Sequence, residues 1–173
     1  MKKFKQVNIV YTIIFLVFVV YLISNIIKFI NIHEVNGYDY GIKSIYSTIS
    51  VYGVFKILPI FLIPAIAVFY RNKLSWMIIL VYLYFFIWQI VSYTLYVSPF
   101  DDFISIYTVL VLIVILTILF FSIYIMNKAH TISNVYSLDN KKIMLYNLMT
   151  CIIGCGISIL LAISNNSRYY EGL

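Results

Sequence analysis

Residues 103–126 read FISIYTVLVLIVILTILFFSIYIM, an apolar stretch of 24 residues that contains no charged side chain. A helix of this length is about 36 Å long at 1.5 Å per residue, enough to cross a hydrocarbon core of about 30 Å. Four further stretches are similarly long and apolar, at 9–30, 51–70, 74–97 and 143–163. A soluble domain of 173 residues cannot enclose five helices that are apolar on all sides. The sequence therefore predicts an all-α integral membrane protein with a five-helix transmembrane bundle.

The composition supports this class and excludes others. Hydrophobic residues make up 64% of the chain, charged residues make up 10%, and the mean hydropathy is +1.01. The net charge of +6 does not indicate nucleic acid, because eight of the twelve Lys and Arg residues lie beside predicted spans, as topology signals do. We predict a single polytopic membrane domain over 1–173, with the lipid bilayer as partner and no nucleic acid.

The charges between the spans predict the orientation, since cytoplasmic segments of membrane proteins are enriched in Lys and Arg. Three segments are basic, and they contain Lys2, Lys3, Lys5, Arg71, Lys73, Lys128, Lys141 and Lys142. The other segments hold five of the six acidic residues, namely Glu34, Asp39, Asp101, Asp102 and Glu171. This alternation predicts a cytoplasmic N-terminus and a C-terminus outside.

Loop lengths predict which spans are neighbours. Only residues 71–73 join spans 2 and 3, and only residues 98–102 join spans 3 and 4. These three spans should therefore be sequential antiparallel neighbours, whereas the longer linkers leave the placement of spans 1 and 5 open. Both longer linkers also contain apolar residues at helical spacing, which predicts a short outer-surface helix and a weaker inner-surface equivalent. The residues are Ile42, Ile45 and Ile49 in the first linker and Ile132, Val135 and Tyr136 in the second.

The amino-acid usage indicates the source. Ile occurs 33 times and Ala four times, and ten of the twelve basic residues are Lys. An AT-rich genome produces such a bias, so we predict the plasma membrane of a low-GC bacterium.

The distribution of titratable residues argues against catalysis. No Asp, Glu or His lies in any predicted span. Proton-coupled transport and intramembrane hydrolysis need a titratable group or metal ligand at depth, so we predict no enzyme activity, no metal and no cofactor. His33 and His130 fall on opposite sides of the membrane in the predicted topology, and each is expected to be a solvated loop residue.

Lys56 is the one charged residue clearly inside a predicted span, about 7.5 Å from its outer end. Its ammonium group either snorkels to the surface or serves as a buried cation for a carboxylate or another anionic group. Pro59 and Pro64 follow in the same span, where they should kink the helix and free backbone carbonyls.

The predicted topology puts many polar side chains in the outer half of the membrane. Gln89, Tyr93 and Tyr96 share one face of span 3, and Asn25 of span 1 lies at a similar depth. We predict a polar recess that opens to the outside. Its candidate binding residues are Lys28, Lys56, Gln89, Tyr93, Tyr96, Asp101 and Asp102. A helix-packing seam with interfacial aromatic residues is the alternative interpretation.

Span 5 carries a stripe of small residues. Cys151, Cys155, Ser158 and Ala162 follow one another at i, i+4, i+7 and i+11, a pattern that lets another helix approach closely. The alternative is a redox pair, but membrane thiol oxidoreductases use a two-residue cysteine spacing and further loop cysteines, which this chain lacks. We predict helix packing for these four residues.

The predicted function is binding. We expect a small non-enzymatic membrane protein that works through its outer face, with another membrane protein or a secreted toxin or peptide as partner. Immunity to a membrane-acting toxin or bacteriocin fits this description, and so does an accessory subunit of an export or resistance system. The alternative function is a small-solute transport subunit whose outer recess holds the solute.

Overall fold

A computed structural model describes residues 4–36, 41–51, 55, 57–97, 106–136, 138 and 142–170. Every regular element in these ranges is an α-helix, which confirms the predicted all-α class. The helices are α1 (Phe4–Asn36), α2 (Ile42–Val51), α3 (Leu58–Ala67), α4 (Lys73–Val97), α5 (Ile106–Met126), α6 (Ala129–Asn134) and α7 (Ile143–Tyr170). The chain divides into two compact units, 1–69 with α1 to α3 and 70–173 with α4 to α7.

Four helices of the described chain are long and apolar enough to cross a membrane. They cover Gln6–Glu34, Lys73–Ser92, Thr108–Met126 and Ile143–Ile163. These windows coincide with predicted spans 1, 3, 4 and 5. The structure is that of an all-helical protein with several helices of transmembrane length, as the apolar stretches predicted.

The second predicted span, 51–70, is not one continuous helix. Helix α2 ends at Val51 and α3 covers only Leu58–Ala67, while Phe55 between them has a φ of 62°, in the left-handed region. Pro59 favours a helix start at this point, because its fixed φ and missing N–H suit the first turn and not the interior. Ten residues give α3 a length of about 15 Å, too short to span a bilayer alone, so the fifth span stays a prediction.

In the unit 1–69, the chain from α2 to α3 follows α1 in antiparallel order. Three contacts establish the order, and they join Tyr21 to Phe61, Asn25 to Phe55 and His33 to Ser44. As the residue number along α1 increases, the residue number of the contacted residue decreases, which is the pattern of antiparallel packing. The first contact is a ring stack, with centroids 4.0 Å apart and planes inclined by 6°.

His33 is buried, so the prediction of a solvated loop residue is wrong. Helix α1 continues to Asn36, and His33 within it is only 1% exposed. The ring nitrogens of His33 lie 3.3 Å from the carbonyl oxygen of Phe29 and 3.3 Å from Oγ of Ser44. A short helix forms where the Ile spacing predicted one, as α2, and its location on the outer surface stays a prediction. The buried imidazole thus connects the end of α1 to α2.

Helix α4 is the central helix of the unit 70–173. It contacts both α5 and α7, and 39% of its transmembrane window is buried, against 22% for α5 and 17% for α7. Trp76, Ile79, Leu80 and Leu83 form its buried stripe at i, i+3, i+4 and i+7. The structure therefore places predicted span 5 beside span 3, a placement that loop length left open.

Polar contacts fix the beginning of α4. The side-chain Oδ1 of Asn72 accepts a hydrogen bond from the backbone N–H of Ser75 at 2.8 Å, as an N-cap residue does. Ser75 Oγ in turn donates to the carbonyl of Tyr70 at 2.6 Å. One residue further on, Nε1 of Trp76 donates to the carbonyl of Met126 at 3.0 Å. Met126 ends α5, so this bond satisfies a carbonyl that has no partner within its own helix.

The segment after α5 folds back against the end of that helix. Ile132, Val135 and Tyr136 are at most 5% exposed, and the hydroxyl of Tyr136 lies 4.0 Å from Sδ of Met126. A short helix forms here as α6, but Val135 and Tyr136 lie beyond its end, and all three apolar residues are buried within the protein. Burial against α5 removes them from solvent within the protein itself.

Candidate binding site

The interval between α2 and α3 brings non-helical backbone beside the side chain of Asn25. The N–H of Phe55 donates to Oδ1 of Asn25 at 3.3 Å, and Nδ2 of Asn25 donates to the carbonyl of Tyr21 at 2.9 Å. The part of α1 that is long and apolar enough to span a membrane ends at Glu34, nine residues after Asn25. That separation is about 13.5 Å along the helix axis, so Phe55 lies inside the bilayer if α1 spans it.

Backbone outside a helix is tolerated at such depth only where protein groups or a water-filled cavity satisfy its polar atoms. Asn25 satisfies one N–H here. Two short-range bonds satisfy others, from Leu58 N to Phe55 O at 2.9 Å and from Ile60 N to Ile57 O at 3.0 Å. Ile57 occupies the N-cap position of α3 and makes no capping side-chain bond. The positive end of the α3 dipole therefore faces the interval without a capping side chain.

The two prolines set the form of α3. Pro59 is in the first turn, where a missing N–H costs no helical hydrogen bond. Pro64 is buried inside the helix, where it cannot donate to the carbonyl of Ile60. The helix ends three residues later at Ala67, and the N–H of Val68 returns to the carbonyl of Pro64 at 3.1 Å.

Two predicted binding residues belong to this unit. Lys28 is exposed in α1 and follows Asn25 by three residues, so both lie on one side of the helix. Lys56 lies outside the described residues, between Phe55 and Ile57 in sequence. The polarity and predicted depth of Asn25 were evident from the sequence, but its bond to Phe55 was not, because it joins residues 30 positions apart.

The other predicted binding residues belong to the unit 70–173. Gln89 lies in α4 and is half-buried. Tyr93 and Tyr96 are in the same helix, and the structure describes their backbone but not their side chains. Asp101 and Asp102 lie outside the described residues. The structure thus places all three residues in one helix. That they share one face of it is inferred from their spacing in the sequence.

A polar contact between α4 and α7 was missed by sequence reasoning. The hydroxyl of Tyr84 donates to Oδ1 of Asn147 at 2.8 Å. Within α7, Oγ1 of Thr150 donates to the carbonyl of Asn147 at 2.8 Å. Asn147 itself was the usable indication, since an amide in an apolar span usually bonds to a neighbouring helix.

The close approach of α7 to α4 occurs at Gly154. A Cβ atom at this position would lie 2.9 Å from the backbone nitrogen of Phe85 and 2.9 Å from the backbone oxygen of Val81. Both atoms belong to α4, and only a residue without a side chain permits this distance. Thr150 and Ser158, one turn away on either side, are 0% and 2% exposed.

The predicted packing residues of α7 differ in their burial. Ser158 lies in the buried stripe with Gly154, while Cys151 and Cys155 are half-buried beside it as free thiols. Ala162 is exposed. The stripe in the structure therefore follows i, i+4 and i+8 from Thr150, a neighbouring register to the one that the cysteine spacing suggested.

The described groups at the candidate site form hydrogen bonds and carry positive charge. Among the described residues, no group of three or more His, Cys, Asp or Glu side chains is placed to hold a metal ion. The interval near Asn25 combines an amide, non-helical backbone and the neighbouring lysines of the sequence. Such groups can form hydrogen bonds and attract an anion.

Comparison with known proteins gave no match. A scan against protein-family models found none, and neither did searches of the curated proteins and of the solved structures.

Proposed function

We propose that this chain is a small non-enzymatic multi-pass membrane protein that binds its partner through its outer face. The hydrogen bond between Asn25 and Phe55 is the main support for the proposal. It fixes non-helical backbone of the predicted second span against α1, and Lys56 is the next residue in the sequence. Interrupted segments at membrane depth occur where protein groups or a cavity meet their backbone, and such places commonly form binding sites. Lys28 and Lys56 supply positive charge for the anionic part of the partner.

The proposed topology has five crossings, with the N-terminus in the cytoplasm and the C-terminus outside. The second crossing is the predicted span 51–70, which contains Phe55 and α3. The contacts of Phe61 with Tyr21 and of Phe55 with Asn25, which run antiparallel to α1, support this crossing. In the unit 70–173, the start of α4, the end of α5 and the start of α7 lie at one end, as the positive-inside rule requires for their flanking lysines.

The proposed setting is the plasma membrane of a low-GC bacterium. Two roles fit a small outward-facing binding protein there: immunity against a membrane-acting toxin or bacteriocin, and service as an accessory subunit of an export or resistance system. The partner is accordingly a secreted toxin or peptide, or another membrane protein. The Ile- and Lys-rich composition supports the setting, and the proposed outer site supports the mode of action.

A small-solute transport subunit is the second candidate. The interrupted segment near Asn25 favours it, since discontinuous helices at the bilayer midplane bind solutes in many transporters. Lys56 or Lys28 would then meet the anionic part of the solute.

Affinity purification from native membranes tests the proposal. The wild-type chain should retain a partner that Lys56→Leu loses and Lys56→Arg keeps, while all three reach the membrane equally and unfold at the same temperature. Lys43→Leu, which removes an exposed lysine of α2, is the matched control. Retention of the same partner by Lys56→Leu would exclude Lys56 from the site. Recovery of a small anion in place of a protein would favour the transport subunit.

The polar face of α4 needs its own variants. Gln89→Leu and Tyr93→Phe should impair the same retention if the partner contacts this helix. Full retention by both variants would exclude this face of α4 from the surface that the partner contacts.

A further inference from the structure

Three helix ends meet at one end of the unit 70–173. The bond from Trp76 Nε1 to the Met126 carbonyl places the start of α4 against the end of α5. The ammonium of Lys73 lies 3.7 Å from the ring centroid of Tyr146, which places the start of α7 at the same end. The basic end is defined here as Arg71, Lys73, Lys128 and Lys142.

The basic end carries a concentrated positive charge. Arg71 and Lys73 flank the cap of α4, Lys128 follows the end of α5 by two residues, and Lys142 immediately precedes α7. The described residues of 70–173 include no Asp or Glu at all. Lys141 and Asp139 lie between these elements in the sequence, so the connections at this end hold five basic residues and one acidic residue.

Aromatic rings contact two of these cations. Lys73 lies over Tyr146, and the ammonium of Lys128 lies 4.9 Å from the ring centroid of Tyr124. A ring face attracts a cation through its quadrupole but adds no negative charge, so the attraction for an anion persists. Tyr70, 59% exposed, adds an amphipathic ring of the kind that lies at lipid headgroup level.

We propose that the basic end binds the phosphate of an anionic phospholipid in the adjacent leaflet. The site lies where three apolar helices end, at the level of the headgroups, and basic clusters between membrane helices recognise such headgroups. In the proposed topology the basic end is cytoplasmic, and this inference does not depend on the proposed function.

The test measures the unfolding temperature of the purified full chain in detergent micelles with added lipid. Phosphatidylglycerol should raise the unfolding temperature by several degrees, and phosphatidylcholine should not. Lys73→Gln and Lys142→Gln should each remove at least half of that rise, while Lys73→Arg keeps it. Lys43→Gln, an exposed lysine of the other unit, is the control and should keep the full rise.

Three results would overturn the proposal. Equal stabilisation by phosphatidylcholine would mean that the acyl chains act and the headgroup does not. Equal loss in Lys43→Gln would mean a general effect of net charge. A similar rise with inorganic phosphate at the same concentration would assign the site to a soluble phosphate compound instead of a lipid. Lys142→Gln keeps the test valid if Lys73→Gln fails to fold, because it leaves the contact with Tyr146 intact.

Discussion

Asn25 shows how a single amide stabilises non-helical backbone in a membrane segment. Its side chain accepts from Phe55 and donates to Tyr21, so both ends of the amide are used. In an apolar environment an N–H that loses its acceptor costs about 1–3 kcal/mol, because no water replaces the bond.

Replacing Asn25 with Leu should therefore destabilise the protein by about 1–3 kcal/mol. The substitution preserves side-chain size and removes the acceptor for Phe55. Unfolding in detergent, followed by circular dichroism, measures the change. Ser24→Ala on the same helix alters an exposed side chain and should change stability by less than about 0.5 kcal/mol. Equal stability of the two variants would count against a role for the amide.

Trp76 makes the corresponding contact in the unit 70–173. Trp76→Phe should destabilise by about 1–3 kcal/mol, because the Met126 carbonyl loses its donor and the buried site loses volume. Trp88→Phe removes the same atoms from a half-buried residue of the same helix, so it is the matched control. The unfolding temperatures of the two variants measure the effect. A larger decrease in Trp88→Phe than in Trp76→Phe would contradict a stabilising role for the bond from Trp76 to the Met126 carbonyl.

Among the elements, α4 and α7 pack closely because the surface of α7 has no side chain at Gly154. Gly154 lets the two backbones approach, and the bond from Tyr84 to Asn147 adds a polar contact to the same helix pair. Van der Waals contact between close backbones is a main source of helix association in lipid, where burial of apolar side chains gains little.

Two glycines of α7 should respond to alanine with opposite signs. Gly154→Ala should destabilise by about 1–3 kcal/mol, because its Cβ would meet backbone atoms of α4, which cannot move aside as a side chain can. Gly156→Ala has open space around its Cβ and should gain up to about 1 kcal/mol from higher helix propensity. Thermal unfolding of the two variants measures both effects. A stabilising Gly154→Ala would show that the helices do not touch there.

At the scale of the whole molecule, the proposed orientation makes a direct prediction. In a background with Cys151→Ser and Cys155→Ser, single cysteines at Asn36, Asp101 and Asn166 should react with an impermeant thiol reagent in intact cells. Cysteines at Asn72 and Asn134 should react only after the membrane is opened. The reverse pattern would invert the topology and move the proposed binding face to the cytoplasm.

The amino-acid sequence by itself determined the class of this protein and four of its long helices. Length and apolarity suffice for that conclusion, because a segment of about 20 apolar residues that crosses lipid must satisfy its backbone within a helix. The sequence also predicted α2 from its Ile spacing. The prediction of one continuous helix over 51–70 was wrong. The segment is apolar throughout, so hydropathy gave no sign of the interruption at Phe55, which has a left-handed φ, or of the new helix start near Pro59.

Tertiary structure alone decided which helices meet and which side chains become polar partners. The position of α7 beside α4, the burial of His33 and Tyr136, and the bond from Asn25 to Phe55 all join residues that the chain separates. Such contacts depend on the distance between two backbones and on the rotation of each helix. Hydropathy predicts neither the distance nor the rotation, because a segment that is apolar on every side does not indicate which face its neighbour will cover.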